Sequence, residues 1–228
     1  MNRIHLFFIV IMTALIIGCE PGLVYENAVP PGQENLSEIP ELYQGSFVCS
    51  SDSTHVYVTN KAIIEEYYHQ FVTSIDKIDE SENCVIVGRG IHFKNPEVCV
   101  PFEYISDRLV TGKIYKVDTL FSISDKQVLR SYKGHLFFNY QMPQGNWVAT
   151  MLTPTDNAGF TFRLLDMNED ITQIKATTTL VDTKELKDDK VQYIINPTLV
   201  EFDKIMDAPN RTACEEFIRI NTRYNQAL

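Results

Sequence analysis

Apolar and polar residues alternate with a period of two along much of this sequence, and this pattern restricts the fold more than any other feature. In "THVYVT", Val56 and Val58 fall on one face and Tyr57 on the other. In "GFTFRLL", Phe160 and Phe162 share a face, and "GHLFFNYQ" and "NWVATML" repeat the pattern. Because successive side chains of a β-strand point to opposite faces, these segments are predicted to be half-buried strands.

Turn-forming sequences separate the predicted strands. Proline, asparagine and glycine supply the backbone angles of turns in "KNPE" at 94–97, "MPQGN" at 142–146 and "TPTDNAG" at 153–159. Short strands with turns at this spacing predict a mainly β domain, either an antiparallel barrel or a sandwich. A short helical segment is expected near the C-terminus, where "NPTLVEFDKIM" and "NRTACEEFIRINTRY" space their apolar residues by three and four behind Asn or Thr caps.

The first 19 residues have a different character. Arg3 precedes a nearly uninterrupted apolar run, Leu6–Ile17, which ends at Gly18 and Cys19. A helix that spans a bilayer needs roughly 20 apolar residues, so this run is short for a permanent span. A basic start, an apolar middle and a small residue at the break are typical of an export signal.

Ile16, Ile17, Gly18 and Cys19 resemble the lipobox of bacterial lipoproteins. In that family a diacylglycerol is attached to the cysteine sulfur, the chain is cleaved before the cysteine, and the new amino group receives an acyl chain such as palmitate. The resemblance implies a signal peptide over residues 1–18 and a lipid on Cys19. It also implies anchoring in the cell envelope, at the outer membrane, on its periplasmic or its outer side. An ordinary signal peptide with a coincidental cysteine and an uncleaved anchor are the alternatives.

The segment that follows, residues 19–41, contains four prolines and no apolar period. This density of proline prevents a helix or a continuous strand ladder, so the segment is expected to be a lipidated N-terminus and a semi-extended tether. A docked N-terminal arm is the alternative. Residues 42–228 are then a single β-rich domain, and a chain that begins near Ile39 is expected to fold without the tether.

The charge of the chain argues against nucleic acid as a partner. The net charge is −10, and removing residues 1–18 takes away only Arg3, which leaves 19 basic and 30 acidic side chains and a net charge of −11. A surface of this sign repels phosphate backbones. The expected membrane contact is therefore the N-terminal lipid rather than a basic surface.

Four cysteines remain once Cys19 carries a lipid, and an oxidising compartment permits three disulfide pairings among them. They are Cys49, Cys84, Cys99 and Cys214. A hairpin that turns at "KNPE" sets His92 opposite Cys99 and leaves Cys84 opposite Asp107, so Cys84 and Cys99 are not expected to form a direct cross-strand pair. Buried free thiols are the alternative to disulfides.

Two further resemblances extend into the mature chain. In "ELYQGSF", Gly45 and Phe47 stand where lipocalin-like barrels carry Gly-x-Trp, with phenylalanine in place of tryptophan. That similarity implies a barrel with a ligand-binding mouth. More broadly, "YQGSF", "VLRSYKGHLFFNYQ", "GNWVATML" and "INPTLVEF" resemble envelope lipoproteins of Gram-negative gut and marine bacteria, a likeness that implies no particular reaction.

No motif predicts a metal, a cofactor or a catalytic nucleophile. "EEYYH" puts Glu65 four residues before His69, but the aromatic and branched neighbours favour a strand with a solvated face. "DMNED" at 166–170 has the opening spacing of a calcium loop, yet Ile171 and Thr177 stand where that loop needs glycine and glutamate. The cysteine and histidine spacings are too wide to predict zinc.

Two classes of function fit these features. The first is a non-catalytic binding or assembly module that holds a small apolar ligand, a glycan or another envelope protein, in a barrel mouth or on an aromatic face. Its candidate contact residues are Tyr67, Tyr68, Phe137 and Trp147. The alternative is a surface hydrolase acting on polysaccharide or peptide, which needs acid or histidine side chains that meet in one cleft with their pKa values driven apart. An open interior would favour a small ligand, and a filled one would leave partner binding.

Overall fold

The computed structural model describes residues 21–94, 97–165, 175–178, 180–186, 191–207 and 216–220. These residues are mainly β, as the alternation predicted. Their strands are β1 (Leu23–Tyr25), β2 (Gly45–Cys49), β3 (His55–Val58), β4 (Ala62–Ser74), β5 (Cys84–Val87), β6 (Gly90–Lys94), β7 (Glu97–Ser106), β8 (Leu109–Ser122), β9 (Gln127–Tyr132), β10 (His135–Gln141), β11 (Trp147–Pro154), β12 (Phe160–Leu164), β13 (Leu180–Glu185), β14 (Val191–Ile195) and β15 (Phe217–Ile220). Helices α1 (Ile75–Asp79) and α2 (Leu199–Asp207) and a 3₁₀ turn at Glu41–Tyr43 accompany them.

The strands build one large sheet. Its spatial order is β13-β14-β1-β11-β12-β15-β2-β3-β4-β8-β7-β6-β5, and β9 and β10 attach to it through β11. Within the described part, every pairing is antiparallel except that of β1 with β14. The sheet is not closed into a barrel. The sandwich-like architecture therefore describes it better than the barrel that the lipocalin-like resemblance implied.

Aromatic side chains fill the centre of the sheet. The ring of Phe160 lies 4.6 Å from that of Phe47, 5.0 Å from Phe162 and 5.2 Å from Phe217. Each fully buried phenylalanine contributes roughly 1.5–3 kcal/mol relative to an exposed one. Because rings occupy this interior, it offers no open barrel mouth to a small apolar ligand within the described residues.

Helix α2 covers a second core. The Thr198 hydroxyl accepts a hydrogen bond from the Glu201 amide at 3.3 Å, and the Glu201 carboxylate accepts one from the Thr198 amide at 2.7 Å. This reciprocal pair is a capping box, which satisfies two donors at the start of the helix. Phe202 is fully buried with its ring 5.3 Å from that of Phe137. The helix predicted in "NPTLVEFDKIM" is thus confirmed.

The helix predicted in "NRTACEEFIRINTRY" is wrong where that segment is described. Phe217–Ile220 form β15, which pairs with β2 and β12, and Phe217 is buried while Ile218 is exposed. Four residues are too few to distinguish a strand's period of two from a helix's period of 3.6. The segment forms a strand because β2 and β12 each offer it an edge with which to pair. The rest of that segment lies outside the described residues. No helix among the described residues is long and apolar enough to cross a bilayer.

Residues 21–41 belong to the folded body. They form a docked N-terminal segment rather than a free tether. Strand β1 lies between β14 and β11, and the side chains of Leu23, Val24 and Tyr25 are 2%, 0% and 0% exposed. The Tyr25 hydroxyl donates to the Leu165 carbonyl at 3.0 Å. Proline prevents a long ladder, but the three residues "LVY" between two prolines are enough to fill a gap in the sheet.

Side chains from β9 and β10 hold the backbone after β1. Asn139 is 0% exposed, and its amide accepts a hydrogen bond from the Val29 N–H at 2.7 Å and donates one to the Val29 carbonyl at 2.7 Å. The Arg130 guanidinium donates to the carbonyls of Ala28 and Pro30. These bonds replace the ladder that proline interrupts.

Strands β4 and β8 project from the body as a two-stranded ribbon. They are 13 and 14 residues long and pair along their whole length. Strands β5, β6 and β7 and helix α1 fold against the far end, around a small core that includes Ile91, Phe102 and Val110. We call residues 65–119 the arm. Since its tip has a core of its own, the stretch of ribbon between tip and body is left with an exposed face.

The cysteines divide into two states. Cys49 is disulfide-bonded, whereas Cys84 is a buried free thiol and Cys99 an exposed one. The predicted register of His92 opposite Cys99 is confirmed. The predicted placement of Cys84 opposite Asp107 is wrong, because β5 and β6 form a hairpin of their own in which Cys84 lies opposite Phe93. Cys84 and Cys99 are therefore not a cross-strand pair, as expected. Cys19 and Cys214 lie outside the described residues.

Candidate functional site

A groove opens on the arm beside His55, the first residue of β3. Strand β3 pairs with β4 only as far as His55 opposite Glu66, beyond which β4 and β8 continue without it. The turn between β2 and β3 forms the wall of the groove, and the ribbon forms its floor. The cavity holds about 790 Å³, which is within the range of about 300–1,000 Å³ typical of ligand pockets.

The floor of the groove consists of side chains from one face of the ribbon. Alternate residues of a strand share a face, so every second residue of β4 and its partner on β8 point into the groove. The floor residues are Glu66 and the cross-strand pairs Tyr68–Tyr115 and Gln70–Lys113.

Tyr68 and Tyr115 form the aromatic centre of the floor. Their side chains are 69% and 51% exposed, and the ring centroids are 5.5 Å apart with the planes tilted by 53°. The paired strands fix the backbone beneath both rings, and each tyrosine has only two side-chain torsions to order on binding. Such rings supply contact area at low conformational cost. A partner that covers them would gain apolar contact and a hydroxyl at each ring.

Polar side chains surround the two rings. The Gln70 amide donates to the Thr111 hydroxyl at 3.3 Å, which orients it beside Lys113. On the wall, the Asp52 carboxylate accepts a hydrogen bond from the Thr54 amide at 2.9 Å, a turn that shapes the groove rim. The groove therefore offers an aromatic centre with hydrogen-bonding groups of both kinds around it.

The opposite face of β4 carries an acidic cluster. Glu65 lies directly across from Asp118, and the Tyr67 hydroxyl donates to the Asp118 carboxylate at 2.9 Å. Burial, and then the charges of Asp118 and Asp52, raise the pKa of Glu65. The hydrogen bond to Asp118 likewise raises the pKa of the Tyr67 phenol. Negative charge is therefore concentrated near His55, the first residue of β3.

The structure brings two of the four predicted contact residues together. Tyr68 lies in the floor, and Tyr67, although on the other face of β4, borders the groove. Phe137 is 0% exposed, because residues 136–139 of β10 are buried on both faces. Trp147 is half-buried against the second core. Phe137 is therefore assigned to the core, Trp147 is not part of the groove, and neither is retained as a contact residue.

Sequence reasoning missed Tyr115 and the polar groups around it. Tyr115 lies in the segment "GKIYKVD", whose charged residues fall on both faces of a strand, and that distribution was the available signal for an exposed aromatic residue. Its partner Tyr68 is 47 positions away, however, and only the pairing of β4 with β8 brings them together. The strand predicted for "EEYYH" is confirmed, with Glu65 and His69 both on the face opposite the groove floor.

A second cavity lies at the arm tip beside Phe71, Cys84 and Phe93. It holds about 190 Å³, below the range of about 300 Å³ and more that ligand pockets occupy. We regard it as a packing defect of the small core. No three His, Cys, Asp or Glu side chains come together as a metal site among the residues that the structure describes, and the "DMNED" segment lies outside them.

Comparison of the chain with protein-family models, with curated proteins and with solved structures found no match. The case for a binding site therefore rests on the geometry of the groove.

Proposed function

We propose that this protein is a membrane-anchored envelope lipoprotein whose domain is a non-catalytic binding module, with the groove on the arm as its binding surface. The observation that carries this proposal is the exposed pair Tyr68 and Tyr115 on a rigid floor in a cavity of about 790 Å³. Binding surfaces are enriched in tyrosine, which combines a large apolar face with a hydroxyl. The packed interior leaves the surface groove as the place for a partner.

The hydrolase alternative finds less support in this groove. Acid catalysis on a glycosidic or peptide bond needs acidic groups that face one substrate. Asp52 and Glu66 do line the groove, whereas Glu65, the carboxylic acid whose pKa burial raises, faces Asp118 across the ribbon on the side away from the groove floor. We therefore assign the groove to binding and attach no reaction to it.

The proposed anchor and the docked N-terminus together limit how far the domain stands from the membrane. Cys19 precedes Leu23, the first residue of β1, by four positions. A chain spans at most roughly 3.3–3.6 Å per residue, so the Cα atoms of these two residues are no more than about 14 Å apart. A lipid on Cys19 would thus hold the body close to the headgroups.

Rebinding of lipid-free protein to envelopes tests the proposal. Residues 19–228 with Cys19→Ser should bind saturably to envelope preparations of the bacterium that makes the protein. Tyr68→Ala combined with Tyr115→Ala should weaken this binding roughly 30-fold or more, because truncating a central aromatic contact costs about 2 kcal/mol. The measurement is a binding isotherm from co-sedimentation.

The matched control is Tyr104→Ala. Tyr104 is 54% exposed and lies opposite Val110, on the face of the arm away from the groove floor. This variant should bind like the parent chain. The proposed function fails if the double variant, with an unchanged thermal transition, binds as tightly as Tyr104→Ala does.

A further inference from the structure

The outer edge of β4 is open beside the groove. The Ile75 amide bonds to the Arg108 carbonyl on the β8 side, and the Thr59 amide bonds to the Ala62 carbonyl on the β3 side. In an antiparallel ladder the backbone groups of successive residues point alternately to the two neighbours. Odd-numbered residues of β4 therefore bond to β8, and even-numbered residues face the side on which β3 lies.

Beyond Glu66, the even-numbered residues of β4 face no strand in the described part of the chain. Glu66 pairs with His55, where β3 begins, and the chain then turns away through residues 50–54. The backbone N–H and C=O groups of Tyr68, Gln70 and Val72 thus point into the lane that a longer β3 would have occupied. The turn at residues 50–54 closes one end of that lane, and the groove lies along it.

This edge carries none of the features that usually block an open strand. Natural sheets protect such edges with proline, lysine or a bulge. The residues from Tyr67 to Ser74, "YYHQFVTS", contain neither proline nor lysine, and their pairing with β8 shows no register shift. The edge is instead rich in aromatic and β-branched residues, which favour strand pairing.

We propose that an extended polypeptide segment of another envelope protein binds here as an added β-strand, in line with β3 and hydrogen-bonded to the outer edge of β4. Main-chain bonds to Tyr68, Gln70 and Val72 supply the affinity, and side chains of the added strand pack against Tyr68 on one face and Tyr67 on the other. The inference rests on the proposed function, because it names the partner class of the same groove.

Charge indicates which end of the added strand is basic. Glu66 faces the groove opposite the first residue of β3, and Asp52 lies on the wall. Glu65 and Asp118 lie nearby on the other face of the ribbon. Lys113 lies two residues further towards the arm tip, beyond Tyr115. A strand with a basic residue beside the turn at residues 50–54 matches this distribution, and complementary charge of this kind favours correct register.

The test separates the backbone of β4 from its side chains. Val72→Pro removes the outward N–H and places a ring in the lane, while the bonds of β4 to β8 remain, a position at which an edge strand tolerates proline. Val72→Ala keeps the N–H and shortens a side chain that does not line the groove. In the same rebinding assay, Val72→Pro should weaken binding at least tenfold and Val72→Ala less than twofold. Gln70→Pro repeats the experiment at the preceding outward residue in case Val72→Pro does not fold.

Treatment of the envelopes identifies the partner class. Proteinase K should abolish rebinding, and periodate, which cleaves the vicinal diols of sugars, should leave it intact. The inference is overturned if the proline variants bind like the parent chain, or if Val72→Ala loses as much affinity as Val72→Pro. It is also overturned if periodate rather than proteinase K abolishes rebinding, which would make the partner a glycan. In each case a loss of binding in the Tyr68 and Tyr115 double variant would still support the proposed function.

Discussion

A chain that begins at Ile39 should fail to form the native body, in contrast to what the proline-rich composition of residues 19–41 suggested. The deletion removes β1, so β14 loses its parallel neighbour and the second core is opened. Leu23, Val24 and Tyr25 are essentially fully buried, and each contributes roughly 1.5–3 kcal/mol. Their sum is a large part of the 5–15 kcal/mol that typically stabilises a domain.

The measurement is thermal unfolding followed by circular dichroism, with a chain that begins at residue 20 as the control. We expect the control to show a cooperative transition and the Ile39 chain to lack one, with exposed apolar surface that binds a hydrophobic dye. A cooperative transition in the Ile39 chain within a few degrees of the control would show that residues 20–38 are dispensable. The docked N-terminal segment would then contribute nothing to stability.

Replacing Asn139 should have the largest effect of any single polar substitution in the body. Asn139→Ala leaves the N–H and C=O of Val29 buried without partners, and each unpaired group costs about 1–3 kcal/mol. We expect a loss of about 3–5 kcal/mol, which lowers the melting temperature by roughly 10 °C in a chain of this size. Chemical denaturation monitored by circular dichroism measures the loss.

Asn60→Ala is the control for this substitution, because Asn60 is exposed in the turn between β3 and β4. It should change stability by less than about 0.5 kcal/mol. If Asn139→Ala is no more destabilising than Asn60→Ala, the segment after β1 is held by something other than the hydrogen bonds to Val29.

Local pattern was sufficient for the strands whose two faces differ. The alternation in "THVYVT" predicted β3 correctly, since Val56 and Val58 are buried and Tyr57 is exposed. It was insufficient for β10, where neighbours cover both faces and Asn139 is as buried as Phe138. In an alternating pattern, a polar residue such as Asn139 is predicted to be exposed. Asn139 can be buried because Val29, 110 positions away, provides its hydrogen-bond partner.

The groove depends on contacts that local pattern does not contain. Tyr68 was a candidate because it is aromatic. Its exposure, however, follows from the absence of β3 beyond His55, and its contact with Tyr115 follows from the pairing of β4 with β8. The same limitation applies to residues 21–41. Their prolines excluded a helix, yet whether "LVY" would pair depended on a vacant edge of β14 and on the end of β11.

Intact-mass spectrometry of protein extracted from membranes tests whether a lipid on Cys19 holds this β-domain at the membrane, as we propose. We expect a chain that begins at Cys19 and carries a diacylglycerol and an amide-linked acyl chain, with Cys49 in a disulfide and Cys84 and Cys99 as free thiols. A mass that matches a bare Cys19 thiol, or a chain that retains residues 1–18, would contradict it.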